Sequence, residues 1–347
     1  MLPEERTIAD SPGGNSIARV SLEHRSHYVV ITDRGEMPAM PVGRMYYDPG
    51  TEGMPVVGDM VEIRILDEDP PHAIITSIMP RKSLFARKEA GKRTGVQPLA
   101  ANIDKVFIVC GLDANYSVRR IERYLTLSLE SGAQPVVVLT KADICDDIEE
   151  KAEAVRASAA GCPVHAISTY NGVGLGELSE HLQPDTTVAL LGSSGVGKST
   201  LTNYLLGNDV QRIQEVRDMD GRGRHTTTSR QLFVLPSGCC VIDTPGMREL
   251  GLTDSEDGLT GAFTDIEEIA KDCRFADCSH EGEPGCAVAK ALEEGTLDRG
   301  RFENYLKMKR ELLYIERKND TGAAVAERTK WKKIHKMIRN LEKHDRK

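Results

Sequence analysis

Gly192-Ser193-Ser194-Gly195-Val196-Gly197-Lys198-Ser199 satisfies the pattern G-x-x-x-x-G-K-[ST] at every position. It follows the apolar run Val188-Ala189-Leu190-Leu191, which reads as a buried strand, and it opens the stretch from Lys198 to Leu206, which reads as a helix. Strand, loop and helix in that order turn a pattern into a mechanism. The glycines let successive backbone N–H groups face phosphate oxygens, and the helix N-terminus adds the positive end of its dipole. Lys198 is expected to reach the terminal phosphates and Ser199 to hold a magnesium ion brought in with the nucleotide, with Thr200 beside it. The stretch predicts a nucleoside triphosphate site in an α/β domain.

The base is read elsewhere. Val136-Val137-Val138-Leu139 is a second buried-strand candidate, followed at once by Thr140-Lys141-Ala142-Asp143. This resembles the Asn-Lys-x-Asp guanine motif of GTPases, with Thr140 in place of the asparagine. A carboxylate at Asp143 accepts from the two adjacent donors of guanine, N1–H and the 2-amino group; adenine has no such pair. The Lys141 stem is expected to lie over the base. Ser168 and Thr169, after a short strand ending at Ile167, resemble the loop that backs the guanine ring. Cys240-Val241-Ile242-Asp243-Thr244-Pro245-Gly246 is a strand ending in Asp-x-x-Gly, with Asp243 toward magnesium and the Gly246 amide toward the γ-phosphate. Gly223-Arg224-His225-Thr226-Thr227-Thr228 suits a switch loop that lends a threonine hydroxyl to magnesium; Thr227 is taken, with Thr226 and Thr228 as the alternatives. Each segment alone is also what an ordinary loop looks like. Five in one chain are not.

Their order is unusual. In ordinary GTPases the phosphate loop precedes the base loop, whereas here Asp143 comes before Gly192 and the Asp-x-x-Gly comes last. The same fold survives only if the old ends have been joined and the chain opened elsewhere, a circular permutation that surface termini tolerate. With Gln97-Pro98-Leu99-Ala100-Ala101-Asn102-Ile103-Asp104, a β-rich N-terminal segment and a cysteine–histidine cluster near the C-terminus, the chain resembles the RsgA (YjeQ) family of small-ribosomal-subunit-dependent GTPases. The likeness runs from about Ala18 to about Met308. It implies GTP hydrolysis stimulated by the small ribosomal subunit, a role in late maturation of that subunit, and binding to its rRNA. The alternative is a nucleotide-gated RNA-binding adaptor whose hydrolysis is incidental.

Five short β-prone runs, at 20–22, 28–31, 43–46, 60–65 and 73–78, are separated by turn signals and fit a small OB-fold barrel. Such barrels often bind single-stranded nucleic acid by stacking, and Tyr28, Tyr46 and Tyr47 are the candidates here. In the central region, strands are expected at 105–110, 135–139, 163–167, 187–191, 231–235 and 239–242, with a helix over 118–130. The segment 209–224 is polar and glycine-bearing, as a switch would be. The expected division is a flexible N-terminus at 1–16, an OB-fold domain with a basic linker at 17–92, a circularly permuted P-loop GTPase domain at 93–252, and a helical zinc-binding domain with a basic tail at 253–347.

Cys273, Cys278, His280 and Cys286 offer three thiolates and one imidazole, a set suited to one closed, tetrahedral, structural zinc. The other cysteines, at 110, 145, 162, 239 and 240, read as packing residues. Eight scattered or clustered cysteines suit a reducing compartment, no apolar run approaches bilayer length, and Met1-Leu2-Pro3-Glu4-Glu5 lacks the features of a signal peptide. A cytoplasmic monomer with no membrane partner is expected. The net charge of −8 hides an uneven distribution. Residues 301–347 carry fifteen lysines and arginines against seven acidic residues, and a second basic run spans 81–93, a distribution able to engage phosphate backbones.

For hydrolysis, Met247 stands after the Asp-x-x-Gly, where signalling GTPases carry a glutamine. Intrinsic turnover is therefore expected to be slow. His225 is the expected catalytic residue, an imidazole able to orient or deprotonate water near neutral pH once a partner orders its loop.

Overall fold

The structure, a computed structural model, describes residues 16–24, 27–47, 53–88, 96–207, 230–243, 257–280 and 282–319. Strands β1 (Ser16–His24), β2 (His27–Thr32), β3 (Gly35–Pro41), β4 (Met60–Leu66) and β5 (His72–Ile78) pair in the order β1-β2-β3-β5-β4, and β4 returns to β1. The sheet is thus a closed five-stranded barrel, which leaves no edge within it. Alternation along the strands sends Ala18, Val20, Val30, Met37, Ala39, Val61, Ile63, Ala73 and Ile75 inward as one cluster. Two expectations are corrected here. Residues 43–46 are not a strand: Arg44–Tyr47 is a single helical turn, α1, that seats Met45 in the barrel. The third strand is Gly35–Pro41, whose Pro38 and Pro41 hide it from a propensity reading. Tyr28 is buried in the core, whereas Tyr46 and Tyr47 are exposed.

The basic run at 81–93 is not a plain linker. Leu84–Lys88 (β6) pairs antiparallel with Val96–Ala101 (β7), and Phe85 is buried. Arg81 is consumed internally: its guanidinium holds the fully buried Asp59 through contacts of 2.7 Å at both oxygens.

The central sheet continues with β8 (Lys105–Gly111), β9 (Gln134–Thr140), β10 (Val164–Ala166), β11 (Thr187–Leu191), β12 (Arg230–Val234) and β13 (Cys240–Asp243). Their spatial order is β10-β9-β8-β11-β13-β12, all parallel except β12. The central strands read as unbroken apolar runs because both faces are covered, and two separate clusters pack on the two sides. The helices are α2 (Val118–Glu130), α3 (Ile148–Arg156), α4 (Leu175–Ser179) and α5 (Lys198–Leu206). The chain enters at β8, walks outward through β9 and β10, returns to β11 beside β8, and leaves on the other side. The reversal between β8 and β11 is a switch point, where open α/β sheets place ligands at the strands' carboxyl ends. β1 also pairs with β12, so the barrel is joined edge-on to this sheet, reinforced by Arg230 and Glu23 at 2.9 Å.

The C-terminal module comprises α6 (Asp257–Ala262), α7 (Thr264–Ala270), α8 (Ala287–Glu293) and α9 (Arg299–Asn319). It docks on α2 through a buried charge cluster. Glu122, fully buried, accepts from Arg301 at 3.0 Å, from Arg119 at 2.7 Å and from Asn304 at 2.6 Å. Arg301 also makes a two-point contact with Asp265 (2.6 and 2.7 Å) and lies over the Phe263 ring. Removing one member of such a set leaves a buried charge unpaired, at a cost of about 3–5 kcal/mol. Arg301 therefore belongs to the core and not to the phosphate-facing charge of the tail. No helix among the described residues is long and apolar enough to cross a membrane.

Candidate nucleotide site and metal cluster

Because β8, β9, β10, β11 and β13 are parallel, the segments that follow them emerge on one edge of the sheet. Leu191 leads into a loop in which Gly192, Gly195 and Gly197 all have φ between +78° and +154°. At Gly192 a Cβ would fall 2.3 Å from the Val109 carbonyl oxygen, so only glycine lets the loop leave the sheet this closely. Val196 is buried and anchors the loop; Ser194, Gly195, Ser199 and Thr200 are exposed. Lys198 opens α5 and donates from Nζ to the carbonyls of Gly192 (2.7 Å) and Ser193 (2.5 Å), which places the ammonium inside the loop. The result is a glycine-bearing loop at a helix N-terminus with the Lys198 ammonium held inside it, an arrangement suited to a polyphosphate.

The base loop is tied to this cradle. Thr140 Oγ1, at the position where the guanine motif carries asparagine, donates to the Val196 carbonyl at 2.6 Å and so braces the base loop on the phosphate loop. Lys141, in the left-handed region at φ +64°, donates from Nζ to the Gly195 carbonyl (2.8 Å) and to Asp113 Oδ2 (2.7 Å). The Lys141 hydrogen bond holds the Asp113 carboxyl below its usual range. The buried Ser168 hydroxyl donates to Asp143 Oδ1 at 2.5 Å and accepts from the Tyr170 amide at 3.1 Å, which fixes the carboxylate's orientation; Thr169 follows, half-buried. Gly174 closes that loop, since a Cβ there would fall 2.1 Å from the Ala166 carbonyl oxygen.

Thus Thr140, Lys141, Asp143, Ser168 and Gly192–Thr200 form one hydrogen-bonded constellation. Asp243 ends β13, beside the strand that feeds the phosphate loop. Gly246, Met247, the segment 209–224 and the switch residues His225, Thr226, Thr227 and Thr228 lie outside the described residues. Sequence reasoning missed Asp113 and Arg120, the latter 3.2 Å from Ser193 Oγ. Their only signal is position, in the segment leaving the carboxyl end of a central strand.

In the C-terminal module, one ligand atom each from Cys273, Cys278, His280 and Cys286 lies within 4.8 Å of every other. Cys273 Sγ and Cys286 Sγ are 3.9 Å apart, and His280 Nδ1 is 3.6 and 3.5 Å from them. Zinc bond lengths imply tetrahedral edges of about 3.8 Å between sulfurs and about 3.6 Å between sulfur and nitrogen. The donor set fits one structural zinc. Backbone amides of Ala287 and Ala289 donate to Cys273 Sγ and Cys286 Sγ, as they would to thiolates. Of the remaining cysteines, Cys110, Cys239 and Cys240 are buried, Cys145 and Cys162 are half-buried against the core, and burial pushes the Cys239 thiol up to about 12.

The family model described as RsgA GTPase matches residues 78–253. A protein of Oceanobacillus iheyensis named small ribosomal subunit biogenesis GTPase RsgA 1 is 45% identical over 320 residues, 92% of this chain and 91% of its own. The chain belongs to the RsgA GTPase family. It is accordingly a GTP hydrolase. Among solved structures, YjeQ from Thermotoga maritima superposes with a TM-score of 0.65 at 28% identity, covering 86% of this chain and 99% of that one. YloQ, titled a circularly permuted GTPase, gives 0.61 at 25% identity, covering 86% of this chain and 95% of its own. A second family model, described as a 50S ribosome-binding GTPase, matches residues 187–346 of this RsgA-family chain.

Proposed function

We propose that this protein hydrolyses GTP to GDP and phosphate under stimulation by the small ribosomal subunit, acts late in that subunit's maturation, and binds its rRNA. The observation that carries the nucleotide assignment is the direct bracing of the guanine loop on the phosphate loop through Thr140 and Lys141. The ribosomal assignment is supported by the names of relatives that align over nearly the whole chain. In this reading Gly192–Thr200 wrap the phosphates, and Asp143 with Ser168 and Thr169 reads the base. Ser199 and Thr227 hold magnesium, Asp243 supports it through water, and the Gly246 amide senses the γ-phosphate. Zinc is structural. The cytoplasm is the compartment in which these partners meet.

His225 orients the attacking water, because Met247 has no useful hydrogen-bonding group for that task. His225→Ala is expected to keep mant-GDP affinity within about 2-fold while lowering subunit-stimulated turnover by about 100-fold, the low end of the range for a lost general base. Unchanged turnover in that variant removes His225 from the mechanism. Retention of cellular function despite lost hydrolysis favours the nucleotide-gated adaptor.

A further inference from the structure

The first turn of α2 breaks a rule of helix electrostatics. Arg119 and Arg120 sit at the positive end of the dipole, and no acidic residue lies in that turn. Arg119 is compensated by Glu122 and by Asp298 of the C-terminal module. Arg120 has no ion pair among the described residues. Its Nη1 donates to two neutral oxygens, the Asn115 carbonyl and Ser193 Oγ, each at 3.2 Å. The Ser117 N-cap accepts from the Arg120 amide and fixes the backbone from which the guanidinium projects. A cation with no ion-pair partner among the described residues is therefore held against Ser193, the second residue of the candidate phosphate loop. The Ser193 carbonyl is also an acceptor for Lys198 Nζ, so a shift of Ser193 is felt at both cations. A local rule broken in this way is expected where function requires it.

The residues that follow, Glu122 and Arg123, are gripped by the C-terminal module. Glu122 binds Arg301 and Asn304, and Arg123 makes two 2.8 Å contacts with Glu311 of α9. We propose that Arg120 is a positioning residue for the phosphate loop, and that through it the docking of the C-terminal module on α2 sets nucleotide affinity. This rests on reading residues 192–199 as the phosphate site. The coupling runs through packed side chains between two sites, which a double-mutant cycle measures directly.

The test uses full-length, zinc-loaded protein with mant-GDP titration and steady-state GTP turnover. Arg120→Ala is expected to weaken mant-GDP binding by about 10-fold and to raise KM for GTP similarly, with kcat within about 3-fold, the pattern of lost uniform binding. Arg120→Lys, which keeps the charge, restores part of the loss. Glu311→Gln is expected to weaken binding by about 3-fold in the parent and to have no effect in the Arg120→Ala background, a non-additivity of interacting sites. Zinc content and melting temperature establish that the variants are folded. Parent-like affinity in Arg120→Ala, or an equal effect of Glu311→Gln in both backgrounds, overturns the proposal. Lys198→Ala is the control for the site itself: if it binds mant-GDP like the parent, the assignment of the phosphate loop is what fails.

Discussion

Asp143→Asn is expected to lower affinity for GTP by about 10²–10⁴-fold, the loss of two hydrogen bonds to a charged acceptor, and to raise affinity for XTP. In the proposed reading the carboxylate accepts from guanine N1–H and the 2-amino group, and a carboxamide nitrogen brought against that amino group sets donor against donor. Xanthine carries an oxygen at position 2, which the new amide can satisfy. Ser168 makes this reversal clean: its hydroxyl donates to Oδ1, so in the variant it retains the carboxamide oxygen and turns the nitrogen toward the base. Competition of GTP, XTP and ATP against mant-GDP reads the outcome. Equal weakening for GTP and XTP would mean that Asp143 braces the loop without reading the base.

Removal of zinc is expected to unravel the loop between Cys273 and Cys286 together with the first turns of α8. Cys286 is both a candidate metal donor and the N-cap of α8, accepting from the Ala289 amide, and Cys273 accepts from the Ala287 amide. Structural zinc contributes about 10–16 kcal/mol in zinc-finger peptides, and even a third of that is about a thousandfold in local opening. Cys286→Ser, or chelation of the parent, should therefore drop hydrogen-exchange protection across 273–293 by at least about that factor. The parent should carry one equivalent of zinc. Unchanged protection after zinc is stripped would make the cluster an ordinary group of packed thiols.

The candidate nucleotide site is legible in the sequence wherever its segments are contiguous. The phosphate loop, Thr140 to Asp143 and Ser168 are each a strand end followed by a fixed local conformation, and their order along the chain revealed the permutation. The central strands were legible because burial on both faces leaves unbroken apolar runs, as in Thr187–Leu191. What stayed hidden depends on tertiary contacts. Gly35–Pro41 reads as a loop until its neighbours pair with it, since only Met37, Ala39 and Pro41 are buried. Residues 43–46 carry β-prone side chains on what is a single helical turn. Leu84–Lys88 reads as a basic linker because its one large apolar anchor is Phe85. Arg81 and Arg301 look like surface charge until Asp59, Glu122 and Asp265 arrive from distant segments. Arg120 belongs to no motif, and only the fold carries it to Ser193.

The central claim is that the permuted nucleotide site is a hydrolase gated by the small ribosomal subunit. It is tested most directly by GTP turnover of the purified protein alone, with small subunits, and with large subunits. Slow turnover alone, strong stimulation by small subunits and none by large subunits is the expected result. Stimulation by neither subunit while guanine nucleotide still binds, or stimulation by the large subunit alone, would contradict it.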